Sequence, residues 1–261
     1  MSRPTLDPVV WVVNSLSRWA WQQMVRLAGK GLKHTLFAPL PWPSAVMHLY
    51  SISRDAALGT VGVVLLVAVL RSMWPELALP GLRLPLPVVL ERLLTAALMA
   101  TAGIWAVRMM LTLNNAAVAA IIGGAGSLAS GAAPQGSLSP LAVLLTALAL
   151  IGIVLYLAVF YAARMIELYL LTAAIPWFAM AWAAFGDDRA IGNLLRELVV
   201  VVFVQTLHAA CFWLAVQLVG SRSLGNSTIF LEVALFWYMT RVPAQFRRLA
   251  GAGWGVTRLW R

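Results

Sequence analysis

Charged residues are scarce in this chain: Asp, Glu, Lys and Arg make up only 11% of it, whereas 62% of the residues are hydrophobic. A soluble domain of this length carries roughly 25% charged residues. Too few polar side chains are therefore present to cover a globule, and the remaining surface must face lipid. This excludes an ordinary soluble domain and predicts an all-α fold, a polytopic transmembrane helix bundle.

Cysteine and catalytic signatures are also scarce. Cys211 is the single cysteine, so an intrachain disulfide cannot form. The sequence contains no phosphate-binding Gly-x-x-x-x-Gly-Lys motif, no His-Glu-x-x-His, no paired-cysteine metal site and no nucleophile elbow. We therefore expect no enzyme activity, no catalytic residue, no metal and no cofactor, and any energy for transport must come from other chains.

The first part of the chain, residues 1–44, differs in pattern from the rest. Within residues 8–36, apolar residues such as Val13, Leu16 and Ala20 recur at helical spacing, and basic residues fall mostly between them. This pattern predicts an amphipathic helix in the membrane interface with its basic face toward the headgroups. Three prolines between Pro39 and Pro43 then predict a non-helical loop.

Residues 45–242 are expected to form the transmembrane bundle of about five to six spans. Each candidate is close to the roughly 20 residues that cross the hydrocarbon. The last one contains Glu232 and has only a short uninterrupted apolar stretch, so crossing, tilting and re-entering all remain open for it. The candidate spans are residues 52–74, 88–113, 139–163, 166–185, 197–219 and 224–242.

Two segments lie outside these spans. Residues 114–140 carry no charge and are dominated by Ala, Gly and Ser, which predicts a flexible loop, or else a small-residue segment that packs against a pore or a neighbouring subunit. Residues 243–261 form a basic aromatic tail that suits the membrane interface. Because basic residues concentrate at both ends of the chain, the positive-inside rule favours six crossings and a cytoplasmic C-terminus.

Polar residues within predicted spans are costly in lipid, so they tend to face the bundle interior or a water path. Gln205 and His208 lie three residues apart on one face of the fifth span, and Glu232 lies in the sixth. We expect a contact of His208 or Gln205 with Glu232. An interhelical hydrogen bond of about 0.6 kcal/mol is the simpler interpretation; a translocation path is the alternative.

A second polar group, Arg164 and Glu167, lies between the third and fourth spans, at either a tight turn or a continuous kinked helix. The spacing of three lets these side chains pair on one helix face. Pro176 is predicted to kink the fourth span, because it removes a backbone hydrogen bond. Gly186 is predicted to end that helix.

The stretch from Tyr161 to Val219 resembles the TrbL-like family of polytopic inner-membrane subunits in type IV secretion and conjugation systems. The resemblance is carried by an Arg-led helix that is interrupted at Pro176, then by a charged loop, and then by a helix with Gln205 at mid-membrane. It covers about a quarter of the chain. The rest of the chain resembles the family only in hydropathy, and the chain lacks the long soluble extension of the larger members.

The resemblance implies a multi-pass subunit of the inner (cytoplasmic) membrane in the platform or channel that transfers DNA or protein. Implied partners are further copies of the chain, other secretion-machine subunits including separate ATPases and a pilin-like protein, and single-stranded DNA as substrate, in addition to the lipid bilayer. Two alternatives remain open. One is a small-molecule transporter or membrane-embedded substrate-binding subunit with its site at His208, Gln205 and Glu232, and the other is a scaffold that never touches substrate.

Overall fold

The structure, a computed structural model, describes residues 8–26, 36–73, 85–123, 140–186, 188–220 and 227–253. These residues are all-α, as predicted, and the seven helices within the described ranges account for most of them. In chain order the helices are α1 Pro8–Arg26, α2 Ser44–Gly59, α3 Val61–Met73, α4 Leu86–Gly123, α5 Pro140–Phe185, α6 Asp188–Gly220 and α7 Ser227–Gly253.

Four stretches of the described helices are long and apolar enough to cross a membrane. They run over Ser44–Leu70, Leu86–Gly123, Val143–Phe185 and Asp188–Leu214, which makes the chain a candidate multi-pass membrane protein. Within the described residues, four such stretches stand where five to six spans were expected, because two predicted spans merge and because α7, which carries Glu232 and three arginines, is less apolar.

The N-terminal helix agrees with the amphipathic pattern over Pro8–Arg26; residues 27–35 lie outside the described part of the chain. Ala20 and Ser17 are buried, whereas Trp11 and Trp19 are exposed. The loop predicted before the bundle is confirmed, because residues 39–43 are not helical and α2 begins directly after Pro43. The first span starts at Ser44 rather than at residue 52. The polar residues around His48 lower the hydropathy of this stretch, but they are compatible with a helix.

The predicted loop over residues 114–140 is wrong in its first part. Helix α4 continues through Asn114 and Asn115 and ends at Gly123. Asn114 is fully buried, and the alanines that follow it have the highest helix propensity of any residue. Residues 124–139 of the predicted loop lie outside the described residues.

Residues 139–163 and 166–185 do not form separate spans. Their described residues, from Pro140 onward, belong to the single helix α5, which is 46 residues long, so the junction between them is a continuous helix and not a tight turn. The residues at the predicted junction, Arg164 to Glu167, are good helix formers and contain no Gly or Pro to stop the helix. At 1.5 Å per residue α5 is about 69 Å long, more than twice the ~30 Å hydrocarbon thickness.

Local interactions define the end of α5 and the start of α6. Gly186 ends α5 as predicted, and its φ of 71° is one that other residues rarely adopt. Helix α6 starts at Asp188, earlier than the predicted span 197–219, and the indole of Trp182 donates a 2.6 Å hydrogen bond to Asp188 Oδ1. Helix α7 extends through the first half of the predicted tail 243–261 to Gly253, with Pro243 inside it.

The chain divides into two compact units. The first unit comprises Met1–Pro39, Asn115–Ala163 and Val204–Phe246, and its core contains Leu150, Leu157 and Phe212. The second unit comprises Leu40–Asn114, Arg164–Phe203 and Arg247–Arg261. It has two apolar clusters, one around Leu168 and Leu198, and one around Leu93 and Ala179.

Candidate functional site

The most buried polar side chain of the first unit is that of His208, which is 0% exposed. Its Nδ1 lies 2.8 Å from the Tyr161 hydroxyl of α5, and its Nε2 lies 2.8 Å from the Met239 carbonyl of α7. A carbonyl can only accept, so Nε2 carries a hydrogen, and Nδ1 of the neutral ring accepts from the tyrosine hydroxyl. One imidazole on α6 thus joins α5 and α7.

Gln205 joins the same helix to the segment Leu36–Ala38, which precedes the proline-rich loop. Its side chain is 1% exposed, and Nε2 donates to the carbonyls of Leu36 (2.7 Å) and Ala38 (3.2 Å). The segment makes a second contact with the same helix, since the ring of Phe37 lies 5.3 Å from that of Phe212. Backbone groups outside a helix need such partners in an apolar interior.

The predicted contact of these residues with Glu232 stays a prediction. The backbone of Glu232 lies in α7, but its side chain is outside the described part of the structure. Among the described residues, His208 and Gln205 form hydrogen bonds with the Tyr161 hydroxyl and with three backbone carbonyls. Sequence reasoning missed Tyr161, although its position three residues before Arg164 places both on one face of a helix.

In the second unit, Arg164 of α5 is the largest fully buried side chain, at 2% exposure. Its Nη2 donates to the Val202 carbonyl over 2.7 Å, and its Nε donates to the Val201 carbonyl. The planar guanidinium thus bridges two successive carbonyls of α6, a geometry that a lysine ammonium cannot reproduce. Both acceptors are backbone atoms, so these two hydrogen bonds do not depend on the side chains of α6.

Glu167 takes part in an ion-pair network of the second unit. Arg247 of α7 contacts Glu167 Oε1 (2.8 Å) and Glu197 Oε2 of α6 (3.1 Å), and its carbonyl accepts a 2.5 Å hydrogen bond from Arg196 Nη2. Arg247 and the two glutamates are about one-third to one-half exposed. Arg247 lies in the segment predicted to be an interfacial tail, but in the structure it connects α5 and α6 to α7.

Pro176 is buried within α5. Because proline lacks an N–H, the helix hydrogen-bond ladder is interrupted one turn before it. The hydroxyl of Ser53 on α2 donates to the carbonyl of Ala173 in that turn. A serine from a neighbouring helix that binds a carbonyl near proline is a common arrangement in membrane helices.

These contacts define what the polar groups can do. The side chains of Arg164, Gln205, His208 and Ser53 each bind a backbone carbonyl of another segment. Among the described residues no group of three His, Cys, Asp or Glu could hold a metal ion. The arrangement crosslinks long helices, and both ring nitrogens of His208 are engaged with the protein.

No protein-family profile, no curated protein and no solved structure matches this chain. The class of the protein therefore follows from the length and hydropathy of its helices, which make it a candidate multi-pass α-helical membrane protein.

Proposed function

We propose that the chain is a non-enzymatic integral membrane subunit of a type IV secretion or conjugation-like machine, located in the inner membrane. It would form part of the platform or channel through which DNA or protein is transferred. The main support for this proposal is the position and contacts of the three residues on which the TrbL-like resemblance depends. Arg164, Pro176 and Gln205 are all buried, and two of them bind other helices or segments through backbone carbonyls.

Such a role fits a subunit that needs rigid long helices rather than a reaction centre. Interhelical hydrogen bonds of buried polar residues are individually worth only about 0.6 kcal/mol, but several of them specify one packing arrangement. In this proposal the energy for transfer comes from separate ATPases. Further copies of the chain, a pilin-like protein and single-stranded DNA are the other expected partners.

The small-molecule transporter remains the alternative proposal, but the geometry favours it less. Its proposed site consists of His208, Gln205 and Glu232, and in the described structure both ring nitrogens of His208 and the amide nitrogen of Gln205 bind protein groups. A solute site at these residues would have to break those bonds in an apolar interior, where unpaired polar groups are costly.

A genetic test separates the two proposals. The gene is deleted in its native host, and transfer of a mobilisable plasmid to recipient cells is counted alongside uptake of labelled solutes. We expect transfer to fall to background and uptake to be unchanged. Wild-type protein should restore transfer, as should a control with Arg248→Gln, because Arg248 is an exposed residue of α7.

Complementation with Arg164→Met and Gln205→Leu should restore transfer poorly at equal amounts of membrane-inserted protein, because these changes remove the carbonyl contacts to α6 and to the Leu36–Ala38 segment. Normal plasmid transfer in the deletion strain together with loss of uptake of one solute would refute the secretion proposal and support the transporter.

A further inference from the structure

An apolar groove runs along the first unit between α5 and α7. It has a volume of about 980 Å³, which is at the upper end of the roughly 300–1,000 Å³ found for ligand sites. We call it the α5–α7 groove. Its α5 side is formed by Leu145, Ala149, Gly152, Ile153 and Tyr156, and its α7 side by Val233, Ala234 and Trp237.

The floor of the groove is open because of its small residues. A Cβ atom added at Gly152 would meet no atom within 4 Å. Leu145 and Trp237 on the two walls are both more than one-third exposed, and the exposed fraction of Trp237 is 55%. The walls therefore offer apolar surface that a ligand or a lipid chain can cover.

One end of the groove is polar. Tyr156 is the last α5 residue along it, and Thr240 is the last α7 residue. Arg241 follows directly, with its guanidinium 5.7 Å from the centroid of the Trp237 ring. Arg241 is exposed and makes no ion pair with any side chain that the structure describes. A cation stacked on an exposed tryptophan at the end of an apolar groove is complementary to an amphiphile with an anionic head.

The groove also has a characteristic length. From Leu145 to Tyr156 the α5 helix rises about 16 Å, at 1.5 Å per residue. Half of a hydrocarbon core of ~30 Å is about 15 Å, the depth of one leaflet. The groove therefore matches the acyl chain of a lipid whose phosphate lies at the level of Arg241.

We propose that the α5–α7 groove is a binding site for an anionic phospholipid. Its acyl chains lie along Leu145, Gly152 and Tyr156, and its phosphate contacts the Arg241 guanidinium, whose donors match phosphate oxygens in pairs. The site requires that the chain lies in a bilayer and does not depend on the secretion role proposed above. A helix of a second copy is the competing occupant, because small residues such as Gly152 also favour close helix packing; the cation at one end favours the lipid.

The test uses the full chain purified in detergent and titrated with dioleoyl phosphatidylglycerol or dioleoyl phosphatidylcholine, which have the same acyl chains. Bound lipids are counted by native mass spectrometry. Gly152→Phe fills the floor and Arg241→Gln removes the cation. Gly62→Phe on α3 is the matched control, since a Cβ there also meets nothing within 4 Å. Gly152→Ala, with circular dichroism for all variants, controls for folding.

We expect the wild-type chain to bind phosphatidylglycerol more tightly than phosphatidylcholine. Arg241→Gln should weaken phosphatidylglycerol binding about fivefold, the effect of ~1 kcal/mol per cation near a lipid surface, and should change phosphatidylcholine binding little. Gly152→Phe should weaken the binding of both lipids, whereas Gly62→Phe and Gly152→Ala should bind as the wild type does.

Equal lipid binding by Gly152→Phe, Gly62→Phe and the wild-type chain would overturn the proposal. So would an Arg241→Gln variant that keeps the preference for phosphatidylglycerol. If Gly152→Phe leaves lipid binding intact but splits an oligomer, as judged by its mass, the groove binds a second copy of the chain instead.

Discussion

At the scale of single residues, three of the buried polar side chains have the same kind of partner, a main-chain carbonyl. Arg164, Gln205 and His208 each reach the backbone of a segment distant in sequence. A carbonyl oxygen in a helix has a second lone pair beyond its ladder bond, so every helix offers such acceptors along its length. Polar side chains can therefore fix two helices together without a polar partner side chain, and the partner helix can stay apolar.

The contact between Tyr161 and His208 gives the first prediction. Tyr161→Phe removes the hydroxyl at 2.8 Å from Nδ1 and should lower the free energy of unfolding by about 1 kcal/mol. Tyr156→Phe is the matched control, because Tyr156 is on the same helix with its side chain largely exposed. Thermal melting in detergent measures both variants. The double variant Tyr161→Phe with His208→Leu should lose less stability than the sum of the losses in the two single variants. Equal melting temperatures for Tyr161→Phe and Tyr156→Phe would refute the prediction.

Arg164 gives the second prediction. Arg164→Lys should destabilise the protein more than Arg164→Met, by roughly 3 kcal/mol for Lys and less than half of that for Met. The lysine keeps a strongly hydrated charge in the interior but cannot bridge the Val201 and Val202 carbonyls, whereas methionine buries no charge. Arg248→Lys on exposed α7 should change nothing. Unfolding in denaturing detergent ranks the variants, and a lysine variant as stable as the wild type would contradict the expectation.

These residues also show how far the sequence could predict the candidate site. Polar residues in an apolar helix are expected to face the interior, and Arg164, Gln205 and His208 are indeed buried. Their partners could not be predicted, because a backbone carbonyl has no sequence signature. Polar side-chain partners were therefore expected at Glu232 and in an Arg164–Glu167 pair, whereas in the structure Glu167 forms an ion pair with Arg247.

At the scale of elements, α2 and α4 meet at an unusually close contact. The Tyr50 hydroxyl donates to the Ala100 carbonyl (3.0 Å) and accepts from the Ile104 N–H (3.2 Å). These two backbone groups of α4 are four residues apart, the spacing of a helical hydrogen bond. Gly103 lies between them in the sequence. A Cβ there would be 2.8 Å from Ile175 Cγ2 and 3.1 Å from the Tyr50 oxygen. The absent side chain is what allows α2 and α5 to approach α4.

The third prediction follows from this contact. Gly103→Ala should destabilise the protein by about 1–2 kcal/mol, since overpacking costs roughly 1–3 kcal/mol and alanine regains at most about 1 kcal/mol of helix propensity. Gly192→Ala on α6 is the control, because a Cβ there meets nothing within 4 Å, and it should raise stability by up to about 1 kcal/mol. Opposite shifts in melting temperature are expected, and a stabilising Gly103→Ala would show that the helices are not in close contact there.

The helix boundaries were predictable only in part. Strong local signals were read correctly, as Gly186 and the Pro39–Pro43 segment show. The end of α4 and the continuity of α5 were not predicted, because hydropathy shows where a helix is apolar and not where it ends. Asn114 and Arg164 interrupt the apolar pattern but leave the helical hydrogen bonds intact, so α4 and α5 run on through them.

At the scale of the whole molecule, much of the apolar surface lies outside the cores. Along α4, a stripe of large hydrophobic residues is exposed at helical spacing: Leu90, Leu94, Leu98, Trp105, Met109 and Leu113. In water such a surface would cause aggregation, whereas in a bilayer it contacts lipid tails. The guanidinium of Arg108, within α4, lies 5.6 Å from the centroid of the Trp42 ring, so this cation is stacked against an aromatic side chain.

The fourth prediction tests this environment. Leu98→Arg should reduce insertion of α4 into the membrane at a cost of about 2.5–3.5 kcal/mol, although Leu98 is 65% exposed. The same change at an exposed site of a soluble protein would be within about 0.5 kcal/mol of neutral. Leu86→Arg, at the first residue of α4, should be tolerated. The fraction of protein recovered in washed membranes measures the effect, and equal recovery of both variants would argue against lipid around Leu98.

The two hydrogen bonds that α2 makes with α4 and α5 can form only one after the other while the chain is synthesised. Tyr50 finds its acceptor, Ala100, only 50 residues further along the chain, whereas Ser53 on the same helix needs Ala173, which is 120 residues away. At about 5–20 residues per second the ribosome takes several seconds to cover that difference. The nascent chain can therefore join α2 to α4 early, while the Ser53 hydroxyl must rely on water, lipid headgroups or an insertion factor until α5 emerges.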